Sequence, residues 1–81
     1  MQSKIAMDKN VNIIRLLDVV ALLKPFPNEN LIKGEVGTVV EQLSENAFEV
    51  EFSNKQGQTI NSIVLNPEDF IVLYFEGAVA L

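Results

Sequence analysis

Two short runs fix most of what this chain can become. Gly34-Glu35-Val36-Gly37-Thr38-Val39-Val40 is a β-branched stretch interrupted by glycine, and Phe48-Glu49-Val50-Glu51-Phe52 begins eight residues after its end. The second run alternates apolar and acidic residues without a break, the period of a strand with one dry face and one wet face. In the first, a glycine within a strand marks the place where a small sheet bends sharply or another backbone comes close. The pair predicts a small, strongly curved antiparallel β domain.

The rest of the chain fits that frame. At 81 residues and 48% hydrophobic it holds one domain, with five Phe among its core candidates. Residues Met1 to Asn12 are polar and irregular and read as a flexible leader, with Met7 as an alternative start. Residues 13–75 make the domain and 76–81 a small-residue tail. Around Asn12 to Leu17 helical spacing competes with β-branched density, so a short helical or irregular lead-in is expected to lay Ile14 and Leu17 on the domain.

Strands are predicted over 18–24, 34–43, 47–53, 58–65 and 71–75. Pro25, Pro27, Asn28 and Asn30 mark a long surface loop through Lys33, and Ser44-Glu45-Asn46 a tight connection. Asn54-Lys55-Gln56-Gly57 is a hairpin loop ending in the glycine that a positive φ favours. A shift in alternation at Ser62-Ile63 points to a bulge. Asn66-Pro67-Glu68-Asp69-Phe70 reads as one helical turn, with Asn66 as cap and Pro67 in first position.

Strand, long loop, two hairpins, a helical turn and a final strand is the order of a five-stranded SH3-like antiparallel barrel. Val20-Ala21-Leu22, the Gly34 to Val40 run, the Phe48 to Phe52 run, and Leu65 ahead of Phe70 resemble a bacterial domain-of-unknown-function family, DUF4926, common in cyanobacteria, over roughly Leu16 to Leu73. The glycine-valine-glycine-threonine-valine start is also similar to the photosystem I subunit PsaE, the ferredoxin-docking subunit of the cyanobacterial NDH complex, and KOW-type ribosomal modules. A shared fold carries no function by itself, and the resemblance implies no catalytic or ligand residue.

Composition narrows the function classes. The chain has no histidine and no cysteine, which removes the commonest general base, thiolate metal sites and disulfides together. Ser3, Ser44, Ser53 and Ser62 therefore have no histidine to activate them, and Gly34, Gly37 and Gly57 lack phosphate-loop spacing. The expectation is a non-enzymatic protein that needs no cofactor or metal. Eleven acidic against six basic residues give a net charge of −5, which disfavours nucleic acid and anionic lipid and favours a basic protein partner. No apolar run reaches membrane-spanning length, no signal peptide is evident, and a cytoplasmic location is expected.

Glu35, Glu41, Glu49 and Glu51 are candidates for one outward hairpin face: a solvated surface, an acidic docking patch or, as the remaining alternative, a hard-cation site, which parallel strand carboxylates suit poorly. Phe26, Asn28 and Glu29 are the candidates in the Pro25 to Lys33 loop, where Phe26 is expected to tuck over an open barrel end. Phe48, Val50 and Phe52 are expected in the core rather than on a base-stacking platform, since carboxylates flank them. The functional expectation is a small acidic protein-binding module, such as the neutralising, antitoxin- or immunity-like partner of a neighbouring protein. KOW-like nucleic-acid binding and a structural subunit of a larger complex are the alternatives. A barrel edge or an extended N-terminal segment also offers a way to pair two chains.

Overall fold

The computed structural model describes residues 13–73. The expected leader (1–12), the residues Tyr74 and Phe75 of the last predicted strand, and the tail (76–81) lie outside the described residues. The fold is mainly β: β1 Val19–Leu22, β2 Val36–Ser44, β3 Ala47–Ser53, β4 Thr59–Leu65 and β5 Phe70–Val72. All pair antiparallel in one sheet of order β4-β3-β2-β1-β5. Two 3₁₀ turns, η1 Pro27–Glu29 and η2 Pro67–Asp69, complete it.

The sheet curls around its core. Two strands separate β3 from β5, a span of about 14 Å in a flat sheet. Yet the rings of Phe48 on β3 and Phe70 at the start of β5 meet edge-to-face with centroids 6.2 Å apart. Val20, Leu22, Val39, Val50, Phe52 and Leu65 fill the space between them. Gly37 makes the tightest approach. A Cβ there would lie 2.7 Å from Phe52 Cε2 and 2.8 Å from both the Glu51 carbonyl oxygen and Val50 Cγ1. The glycine read as a bend is thus the floor on which the Phe52 ring rests.

Register shifts fall at Val40 and Leu43 on β2 and at Ile60 on β4, and the first and last of them bear on the acidic face. Along β2, Gly37 and Val39 point inward, so strict alternation would send Glu41 inward as well. The register instead skips Val40: Val39 stands opposite Val50, and Glu41 opposite Glu49. That extra residue turns Glu41 to the outer face. On β4 the skip falls at Ile60, between the pairs Phe52–Asn61 and Ser53–Thr59. The bulge expected at Ser62-Ile63 is therefore displaced toward the hairpin loop, where the turn and the strand twist must be reconciled.

Local chemistry explains the turns. Gly34 and Gly57 have φ of 91° and 83°, the left-handed region that glycine enters without a Cβ penalty. Asn54 Oδ1 accepts the amides of Gln56 and Gln58, closing the β3–β4 loop. At η2, Asp69 Oδ2 accepts the Asn66 amide at 2.9 Å while Oδ1 meets Lys24 Nζ at 2.9 Å.

Two expectations need correction. The Pro25 to Lys33 loop is not wholly a surface feature, because Phe26 and Leu31 form an isolated bridge and Leu31 is buried in the core. Ile14 packs on the core as expected, but Leu17 does not: its side chain is 73% exposed and its φ is 72°. The Leu17 amide donates to Val39 O and Asp18 O accepts from the Val39 amide, so backbone rather than side chain docks this turn.

Candidate functional site

Charge on the sheet is of one sign. Among the described residues every charged strand position is a glutamate: Glu41 on β2, Glu49 and Glu51 on β3. The cations Arg15, Lys24, Lys33 and Lys55 all lie in turns and loops. Glu41 and Glu49 are direct cross-strand partners, an arrangement that costs a few tenths of a kcal/mol in like-charge repulsion. No cation in a neighbouring strand relieves it.

The strand beside them supplies hydroxyls instead. Ser62 Oγ donates to Glu49 Oε2 at 2.5 Å, and Thr59 Oγ1 donates to Glu51 Oε1 at 3.5 Å. A hydroxyl donor orients a carboxylate without neutralising it. Glu49 and Glu51 are half-buried by these neighbours, whereas Glu41 is exposed. The result is a row of three carboxylates, two of them oriented by hydroxyls and none paired with a cation of the described strands.

Glu35 is not part of that row. It precedes β2 on the inward parity of Gly37, and its Oε1 accepts the Ile32 amide at 3.4 Å. It belongs to the loop with Phe26, Asn28 and Glu29. Of these, Phe26 packs on the core and Asn28 is exposed on η1. Glu29 offers its backbone: its carbonyl accepts Asn61 Nδ2 at 2.6 Å. The seven candidates therefore fall into two groups, Glu41, Glu49 and Glu51 on the outer face and Phe26, Asn28, Glu29 and Glu35 at the loop.

One strand touches both groups. β4 reaches Glu49 through Ser62, Glu51 through Thr59, and the loop through Asn61. The sequence marks none of these three polar residues as a partner of the acids or the loop; Ser62 stands out there only as a bulge position and an unactivated serine. A hairpin closed regularly over Asn54 to Gly57 would pair Ser53 with Gln58 and set Ile60 opposite Glu51. Instead the loop takes in Gln58, so that Ser53 pairs with Thr59, and the bulge at Ile60 adds one residue more, which sets Ser62 opposite Glu51. The polar periodicity of β4 was the available signal, and the bulge hid its register.

The arrangement has the chemistry of a binding surface. Among the described residues no three acidic side chains converge to hold a metal ion. Parallel strand carboxylates point side by side rather than toward one centre. No helix of the described residues is long and apolar enough to cross a membrane.

A family model described as a domain of unknown function, DUF4926, matches residues 16–72, well over half of the chain. The chain belongs to the DUF4926 family. The matched segment runs from the turn before β1 to the end of β5, so this DUF4926 domain coincides with the curled sheet, including the acidic row and β4. No significant match was found among curated proteins or among solved structures.

Proposed function

We propose that this DUF4926 protein is a non-enzymatic protein-binding module that docks a basic partner on the outer face of β2 and β3. One observation carries the reading: all the charge on the described strands is carboxylate, with Glu49 and Glu51 held by hydroxyls and no strand cation to compensate it. A solvated sheet surface ordinarily mixes charge signs, because opposite charges across strands stabilise and like charges do not. A face that carries repulsion instead is suited to relieve it on binding. The strand order supports an SH3-like barrel as the scaffold, and the ground for a bacterial, in particular cyanobacterial, origin is the family resemblance alone. The partner class consistent with this chemistry is a basic protein that the domain occludes in the cytoplasm, as an antitoxin- or immunity-like protein would. Carboxylates on the exposed face count against the KOW-like alternative, since they repel a phosphate backbone.

The test is differential capture from a lysate of the source organism. The wild-type protein is expected to retain a basic protein that elutes as salt is raised, and Glu49→Lys/Glu51→Lys is expected to lose it while keeping its β-sheet circular dichroism. Equal retention of the same proteins by both would overturn the proposal.

A further inference from the structure

The sheet has two edges, and they are built differently. β5 is three residues long, and η2 with its Asp69–Lys24 ion pair stands at its start. β4 is seven residues long, Thr59 to Leu65, and carries neither charge nor proline. Proteins blunt edge strands with short length, charge, proline or inward-turned charges, because unpaired amides and carbonyls are templates for another strand. β5 has the first of these devices; β4 has a bulge at Ile60, and from Asn61 to Leu65 it has none.

The hydrogen-bond register says which groups β4 leaves open. Val39 directs both its amide and its carbonyl to the Leu17–Asp18 turn, on the β1 side of β2. Backbone direction alternates along a strand, so Thr38 faces β3 and pairs with Glu51. Val50 and Phe52 then face β4, where they meet Ile63 and Asn61. Ser62 and Val64 are left with amide and carbonyl pointing away from the sheet, and among the described residues no backbone partner meets them. Their side chains lie on the outer face beside Glu51 and Glu49, with Ile60 and Val64 55% and 57% exposed.

We infer that β4 receives an extended segment of the partner as an added antiparallel strand, with a lysine or arginine opposite Ser62 and apolar residues opposite Ile60 and Val64. This deepens the acidic-docking reading and rests on it. A residue opposite Ser62 stands two strand spacings from Glu51, about 9.6 Å between Cα atoms. A lysine or arginine spans that distance over the small Ser62 side chain and ends between Glu49 and Glu51. On the inner side Asn61 is already held by Glu29, so sequence preference comes from the outer face. Charge complementarity selects this occupant over a second copy of the chain, whose net charge of −5 would meet its own kind.

The probe is a terminally blocked nonapeptide of alternating valine and threonine with a central lysine, titrated into the full-length ¹⁵N-labelled protein. Amide shifts and slowed hydrogen exchange at Ser62 and Val64 are expected, with binding at least tenfold weaker for the same peptide centred on glutamate. A peptide keeping the lysine but N-methylated at alternate residues retains the charge and loses the strand pairing, and it is expected to lose the Ser62 and Val64 protection and the affinity. Val64→Pro, which removes one outward amide, is expected to act likewise on the protein side. Equal binding of the methylated peptide would overturn strand addition while leaving acidic docking intact. No binding of the lysine peptide at millimolar concentration would also overturn strand addition, and acidic docking would still stand or fall on the capture by Glu49→Lys/Glu51→Lys. Equal retention of the same proteins by the wild type and by Glu49→Lys/Glu51→Lys, together with no binding of the lysine peptide, would sink both.

Discussion

The two faces of β3 obey opposite rules. Phe48, Val50 and Phe52 on the inner face are within a few per cent of complete burial, while Glu49 and Glu51 on the other face keep water, hydroxyl neighbours and their charge. The inner face is shaped by close packing, where one carbon atom is felt. The outer face is shaped by charge, where a large change of chemistry costs the fold little. One seven-residue strand thus holds the stability of the domain on one side and its candidate function on the other.

Substitutions across β3 break this contrast in graded steps. Phe52→Ala, emptying the centre of the core, is expected to cost about 3–5 kcal/mol in urea unfolding, enough to unfold a domain of this size. Gly37→Ala pushes a methyl into the same ring and into the β3 backbone, and a loss of about 1–3 kcal/mol is expected by the same measurement. Neither change touches a carboxylate. Crossing to the outer face, Ser62→Ala removes the hydroxyl that holds Glu49, with an expected loss of about 0.5 kcal/mol. The smallest effect has the opposite sign. Glu41→Gln relieves the repulsion with Glu49 and is expected to stabilise by about 0.3 kcal/mol at low salt, a gain that shrinks as salt is added. A loss of stability in that variant would mean that the row is a structural feature and not a functional one.

The loop and the sheet differ in how far they were legible. The alternation of Phe48 to Phe52 and the Asn54 to Gly57 loop gave β3 its observed bounds, because a half-buried strand and a glycine turn are written in nearest neighbours. Asn66-Pro67 announced the 3₁₀ turn for the same reason. Leu31 was hidden: amid polar residues and prolines nothing local marks a leucine that packs under a distant sheet. Glu35 looked equivalent to Glu41, and only the skipped Val40 separates them.

From its own pattern, then, the sequence determined a small curved antiparallel sheet, its turns, the core phenylalanines and an excess of carboxylate on the hairpin. Those follow from local conformational preference and from the period of two that burial imposes on a strand. The tertiary structure decided the rest: that Glu41 joins Glu49 and Glu51, that Glu35 leaves them, that Gly37 bears the Phe52 ring, and that β4 stands between the acidic row and the loop with its edge open. Each depends on the register between segments far apart in the chain. A single bulge reverses which side of the sheet a residue faces, and only packing of the whole core fixes where the bulge falls.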